Sequence, residues 1–415
     1  MMAPIGSRGD VQPLLALARA LKAAGHEVLL CAAPDYRGWA EAESLAFIPV
    51  GPAFEPLLVE LAGVLTRHPI KLMSSLTNVI DEIFEAHFTK VRAACADADL
   101  LLGAGFHLVG SSIAEAAGVP YRFVIFCPIL LPSAHYPAFI FKHRKWPAWL
   151  NRWSWRVMRW VFDRIFKQTL NKHRAKVGLA PVDEVYGHNL QGCGEALVAW
   201  DRLLPPVPPD VPIPVVQTPA WILSGQQDSL PPDLEAFLQA GPPPVYVGFG
   251  SMTDPHPAET TRRVVDAVRQ VGARLVLSRG WARLGEGVQA SDVMVIGSVS
   301  HELLFPRMAA LVHHGGAGTT SAGVRSGVPQ VIVPHLGDQF FIGHVIRELG
   351  VGAEPIFKEA LTVPKLVKAL HWVLQDPATR TRAQTLGQAL VGQNGAPEAV
   401  AYLEHVVAQR QAQKT

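Results

Sequence analysis

The sequence predicts an α/β protein of two doubly wound halves, and three observations carry that reading. Short apolar runs alternate with helical patterns along both halves of the chain. Two of those runs end in glycine-rich turns that open a helix, GFGSM at 248–252 and HHGGAGTTSAGVRSG at 313–327. Twelve of the 34 prolines fall between Pro205 and Pro244, which marks an extended connector rather than packed helix. A chain of 415 residues is longer than one core sustains, and 49% hydrophobic residues are enough to bury two.

In order, residues 1–5 read as a very short first strand, and GSRGD at 6–10 as a loop that turns into a helix over 11–24. Gly25 ends that helix, and HEVLLCAA (26–33) and FIPVG (47–51) follow as strands. A long helix over 72–96, the strand LLLGAG (100–105), a helix over 111–117 and the strand YRFVIF (121–126) continue the alternation. Residues 128–179 form an insertion of different character, with five of the ten tryptophans between Trp146 and Phe166. There Leu150, Trp153, Val157, Trp160, Val161 and Ile165 recur at helical spacing, while Arg152, Arg156, Arg159 and Arg164 fall mostly elsewhere. A helix packed on its own domain fits this pattern. So does a cleft wall that also rests on a membrane surface, where Trp and Arg are at home. EALVAW (195–200) and IPVVQT (213–218) are the last strands of the first half, and the boundary falls near 220. Strands at 245–249, 274–278, 293–296, 309–312 and 329–334, with helices at 257–271 and 339–349, make the second half. The domains are therefore 1–220 and 221–395, followed by a terminal helix in 396–415.

Composition excludes several classes. A formal charge of +2 gives no footprint for nucleic acid. Cys31, Cys95, Cys127 and Cys193 are far apart and read as free thiols of a reducing compartment, the cytoplasm. The chain opens without the basic and apolar regions of a signal peptide. Its most apolar window, 121–141, is broken by Arg122, Pro128, Pro132, His135 and Pro137, so no spanning helix is expected. The 16 histidines show no metal-ligand spacing, and Asp97 to Asp99 read as polar residues closing a helix rather than as metal ligands.

The glycine turn suits an anion. Gly315, Gly316 and Gly318 admit close approach, and Thr319 or Thr320 opens a helix whose first N–H groups lack intrahelical partners. GDQF (337–340) follows the next strand and GFGS ends an earlier one, so three strand ends converge on one ligand.

HHGGAGTT, GDQ, GFGS and GSRGDVQP (6–13), with LLFPRMAALVHHGGAGTT and PPDLEAFLQAGPPPVYVGFGSM, resemble the inverting nucleotide-sugar glycosyltransferases of the GT-B fold. The likeness is to the sterol and antibiotic-aglycone branch and runs over nearly the whole chain. It implies two Rossmann-like doubly wound domains facing a cleft, with an acceptor-binding N-terminal half and a nucleotide-sugar-binding C-terminal half. The terminal helix would cross back onto the first domain. The implied reaction moves a hexose, glucose by default, from a UDP-sugar to a lipophilic alcohol such as a sterol, carotenoid or polyketide aglycone. It needs no metal and no cofactor beyond the UDP-sugar co-substrate.

By the same resemblance Asp10 is the catalytic base. Its alternative role is to cap the helix beginning at Val11. Donor contacts fall to Ser7, Arg8, Gly9, Gly250, Ser251, His314, Gly316, Gly318, Thr319 and Thr320, with Asp338 and Gln339 holding sugar hydroxyls and His313 left structural. Uracil is expected near Val299, although Ser300 and Leu303 stand where many sterol-type relatives carry Pro and Trp. His107, Phe126, Trp153 and Trp160 are the acceptor candidates. A nucleotide-sugar epimerase, a dinucleotide oxidoreductase and a non-catalytic membrane-surface module are the competing readings. The oxidoreductase fails on GFGSMT, which lacks the third glycine of GxGxxG.

Overall fold

A computed structural model describes residues 1–57, 69–142, 146–225 and 227–414. The first half is built on a seven-stranded parallel sheet with order β3-β2-β1-β4-β5-β6-β7. Its strands are β1 (Met2–Ile5), β2 (Leu29–Ala32), β3 (Ala46–Pro49), β4 (Leu101–Gly105), β5 (Tyr121–Ile125), β6 (Ala196–Ala199) and β7 (Val215–Thr218). The second half holds a five-stranded parallel sheet with order β10-β9-β8-β11-β12. These strands are β8 (Val245–Gly248), β9 (Leu275–Ser278), β10 (Val293–Ile296), β11 (Ala310–His313) and β12 (Gln330–Ile332). Strands β1, β6, β8 and β11 are buried at every position, as a parallel sheet covered on both faces requires. The short first strand is thus a central one, paired in register with β4 from Met2↔Leu102 to Ile5↔Gly105.

Two local differences from the sequence reading matter for the site. The first helix runs Arg8–Ala23, three residues ahead of the expected start, because Ser7 is its N-cap and Asp10 its third residue. The Ser7 amide donates to Asp10 Oδ2 at 2.8 Å, so Asp10 closes a capping box rather than serving as the cap itself. The glycine turn likewise enters its helix early. Gly316 is the N-cap of Ala317–Arg325, which puts Thr319 and Thr320 inside the first turn rather than at its opening.

The insertion forms the helix Ala148–Phe162, which widens into a π turn at Asp163–Lys167 before continuing as Gln168–Lys176. Its buried face is Asn151, Ser154, Trp155, Met158 and Phe162, not the apolar set expected from periodicity. Trp153 and Trp160, which the helical spacing groups with Leu150, Val157 and Val161, are 49% and 61% exposed, against the reading of that face as packed on its own domain. The cause is the neighbouring strap at 134–138, whose backbone polar groups have no strand to pair with. Asn151 Nδ2 donates to Ala134 O (2.8 Å), Trp155 Nε1 donates to Tyr136 O (3.2 Å), and the Ala138 amide donates to Ser154 Oγ (2.8 Å). Those bonds turn the helix so that its amide, hydroxyl and one indole face inward.

The last helix, Ala396–Lys414, packs Ala399, Val400, Leu403 and Val406 against the same apolar cluster as Leu14 and Leu17 of the first helix. It thus lies on the N-terminal sheet although it ends the chain. The four cysteines are buried free thiols.

Candidate active site

Where the strand order of a doubly wound sheet reverses, the chain leaves neighbouring strands in opposite directions and a crevice opens at their carboxyl ends. The first sheet reverses between β1 and β4, the second between β8 and β11. The sequence motifs sit at these two points.

At the first reversal, Gly6 follows β1 and Gly105 ends β4, and the Asp10 carboxylate fills the niche between them. A Cβ at Gly6 would lie 2.1 Å from Asp10 Oδ2, and one at Gly105 would lie 2.9 Å from Oδ1, so only glycine leaves room. Gly105 also has φ +67, and the Tyr36 hydroxyl donates to Gly6 O at 3.0 Å. Burial in this niche raises the Asp10 pKa from 3.8 to about 7, opposed in part by the Ser7 amide and reinforced by the Asp338 carboxylate of the other half. A carboxyl poised near neutrality is suited to taking a proton.

At the second reversal, His314 is wedged between the two glycine loops. A Cβ at Gly250 would meet His314 Cε1 at 2.9 Å, and one at Gly316 would meet Nε2 at 2.5 Å. Burial holds the His314 pKa well below its usual value, so the ring is neutral, and its buried Nδ1 has no protein partner. His313 is structural: the Gly315 amide donates to its Nδ1 at 3.1 Å and its Nε2 lies 2.7 Å from Gln330 Oε1. Together they pin Gly315 at φ +87 and set the turn. The Thr320 amide already donates to Gly316 O at 2.9 Å, which leaves the N–H groups of Ala317, Gly318 and Thr319 as the free end of the helix. Around Gly318 a Cβ would meet nothing within 4 Å, so the turn opens on free space. Thr320 does not join it, being wholly buried. Ser251 lies beside this turn at the end of the GFGS loop and is 7% exposed.

Asp338 stands at the N-cap of Gln339–Glu348 but makes no side-chain capping hydrogen bond. Burial raises its pKa to about 6, against the pull of the nearby amides of Asp338 and Gln339. Gln339 is 4% exposed and occupied within the protein. Its Oε1 accepts from the His335 and Leu336 amides at 2.8 and 3.2 Å, and its Nε2 lies 3.3 Å from Met252 Sδ. It ties the loop of Asp338 to the GFGSM loop. Arg8 reaches across the halves: its guanidinium lies over the Trp39 ring at 5.0 Å and donates to Ser298 Oγ at 3.1 Å, next to half-buried Val299. Gly9 is exposed beside it.

The acceptor candidates are not gathered there. His107 is wholly buried beneath Gly103, with Tyr121 at 6.1 Å and His87 at 5.4 Å between ring centroids, and neither ring nitrogen has a partner. Burial lowers its pKa well below the usual value, so it is a poor base. Phe126 points to the other face of the sheet and packs edge-on to Trp221 at 6.1 Å. Trp153 and Trp160 lie on the outer face of their helix. The sequence reading missed Phe106, 52% exposed at the end of β4, and a pocket against Gly6 lined by Ile5, Ala33, Val50, Phe54 and Ile83 with His87 at its side. These residues come from five separate segments with no shared motif; only an apolar residue at a strand end marked Phe106.

Contacts between the halves were equally silent in the sequence. Wholly buried Asp201 accepts from Ser321 Oγ at 3.0 Å and Arg325 Nη2 at 2.5 Å, both on the helix that follows the glycine turn. Tyr136 of the insertion strap meets Phe341, two residues past Gln339, at 4.8 Å between centroids.

Residues 1–134 match the glycosyltransferase family 28 N-terminal domain, and residues 254–406 match the erythromycin biosynthesis protein CIII-like C-terminal domain. The chain is 36% identical over 358 residues to the vancomycin aglycone glucosyltransferase of Amycolatopsis orientalis, covering 85% of this chain and 84% of that one. It is 32% identical over 415 residues to the sterol 3-beta-glucosyltransferase of Emericella nidulans, covering 95% of this chain and 29% of that one. Among solved structures, the glycosyltransferase VinC in complex with dTDP superposes with TM-score 0.69 over 98% of this chain and 99% of that one, at 21% identity.

Proposed function

The chain belongs to the GT-B glycosyltransferases, and from that premise we propose that it moves a hexose, glucose by default, from a UDP-sugar with inversion to a hydroxyl of a lipophilic acceptor. The observation that carries the reading is the placement of Asp10, with its raised pKa, at one strand reversal and of the glycine turn at the other. Asp10 removes the acceptor's hydroxyl proton as that oxygen attacks the anomeric carbon. The bond from that carbon to the diphosphate breaks on the opposite side, which inverts the centre. The free N–H groups of Ala317, Gly318 and Thr319 and the neutral His314 ring receive the charge on the departing diphosphate. Asp338 accepts from sugar hydroxyls, and Gln339 positions the loop that carries it. The Arg8 to Ser298 contact and Val299 lie on the side assigned to the base.

An apolar acceptor is supported by exposed Phe106 at the end of β4 and by the apolar side chains of Ile5, Val50, Phe54 and Ile83 gathered beside Gly6. The relative named for a sterol agrees with a rigid, largely apolar alcohol. The test is a panel of sterol, carotenoid and polyketide acceptors incubated with UDP-glucose and, in parallel, dTDP-glucose, read by mass spectrometry. The expected result is the mass of one added hexose with the uridine donor preferred. Conversion of the donor to an isomeric sugar without transfer would establish an epimerase instead, and preference for dTDP-glucose would correct the base.

A further inference from the structure

Away from the cleft, the Ala148–Phe162 helix and the turn after it carry a surface that the packing of the described residues does not use. Trp149, Trp153 and Trp160 are 67%, 49% and 61% exposed, and Arg152, Arg156 and Arg164 are exposed as well. Positions 149, 153, 156, 160 and 164 follow one another at intervals of three and four, and 152 lies three after 149 and four before 156, so all six share one helical face. The orientation is fixed from behind, since Asn151, Ser154 and Trp155 are held by the 134–138 strap. Arg164 lies over the Trp160 ring at 5.6 Å. The one acidic residue of this stretch, Asp163, turns inward to accept from the Val185 amide at 2.9 Å, so no carboxylate of the helix neutralises the face.

We propose that this face docks the protein peripherally onto an anionic lipid bilayer. Three indoles held in water on a convex helix form an exposed apolar patch of the kind that marks an interaction surface. An indole has an apolar body and one N–H, which matches the boundary between headgroups and acyl chains. The arginines between the indoles carry charge complementary to anionic headgroups and have long stems that lie along apolar surface. No helix among the described residues is long and apolar enough to cross a membrane, so the mode is one of lying on the surface. The inference goes beyond the transfer reaction and stands whichever acceptor is used.

The experiment uses the full chain in co-sedimentation with vesicles of phosphatidylcholine alone and of phosphatidylcholine mixed with phosphatidylglycerol. Binding is expected to the mixed vesicles, weakening with salt and accompanied by a blue shift of tryptophan emission. The triple variant Trp149→Ala, Trp153→Ala, Trp160→Ala should lower the partition coefficient roughly tenfold or more, and each of Arg152→Gln, Arg156→Gln and Arg164→Gln should lower it about fivefold. Melting temperatures should stay at the wild-type value, because every substituted side chain is exposed. Equal binding to both vesicle types, or wild-type partitioning by the triple variant, would overturn the proposal. So would a dimer of the wild type, seen by light scattering, that the triple variant abolishes, since the occupant would then be a second copy of the chain.

Discussion

Asp10→Asn separates a base from a capping residue, because Asn keeps the cap and removes only the proton acceptor. Asn keeps a side-chain oxygen that accepts from the Ser7 amide, so the capping box at the head of the first helix survives. It cannot take a proton, so turnover at saturating acceptor should fall by roughly a hundredfold to ten-thousandfold while UDP affinity in calorimetry is unchanged. Stability should not fall with it. A carboxyl whose pKa rises on folding, here from 3.8 to about 7, binds its proton more tightly in the native state, so stability declines as pH climbs through that window. Asn cannot ionise and escapes the decline. At pH 8 the variant should therefore melt at or above the wild type, by at most about 4 kcal/mol. The wild-type kcat/KM should rise with pH through about 7, and that limb should vanish in the variant. Near-normal turnover at saturating acceptor would show that Asp10 serves the helix and not the reaction.

Asp338→Asn removes the like charge that helps to raise the Asp10 pKa, so the acid limb of kcat/KM should move to lower pH; a limb that stays in place would mean the two carboxylates do not sense each other. His314→Ala should weaken UDP-sugar use by roughly 2 kcal/mol, read as kcat/KM for the donor and checked by UDP calorimetry. Asp201→Ala leaves Arg325 and Ser321 without their buried partner and should cost roughly 3 kcal/mol in thermal unfolding, whereas an unchanged melting temperature would deny the contact any structural weight. EDTA should leave turnover intact, and strict dependence on a divalent cation would sink the account in which backbone N–H groups receive the leaving charge.

The strands were legible because a parallel sheet covered on both faces demands an unbroken apolar run, and each of β8, β10, β11 and β12 falls within two residues of one. The glycine turns were legible because positive φ at Gly250 and Gly315 leaves glycine as the ready choice. What failed has a common physical root in polar groups that follow backbone needs rather than hydrophobic rank. Ser7 and Asp10, each following a glycine, look like loop, yet together they start a helix. Asn151 and Ser154 look like surface, yet they face inward to satisfy the strap, and Trp153 and Trp160 turn outward as a result. His107 follows a strand end like a cleft residue, but Phe106 takes the open side there and the histidine turns under Gly103.

The two strand reversals bear on each other through charge as well as shape. Asp10 owes most of its raised pKa to burial and a further part to Asp338, which approaches from the second sheet. Asp338 is itself held near 6 by burial. Separating the halves would rehydrate both groups and return each toward the ordinary carboxylate range, where proton abstraction from an alcohol is weaker. On the reading of Asp10 as base, its basicity is therefore a property of the closed molecule rather than of the first domain. The contacts that hold the halves together, Asp201 with Arg325 and Tyr136 with Phe341, then act on the reaction at a distance. Loosening them should displace the acid limb of the pH profile downward before it abolishes turnover, a shift that a defect in donor binding alone would not produce.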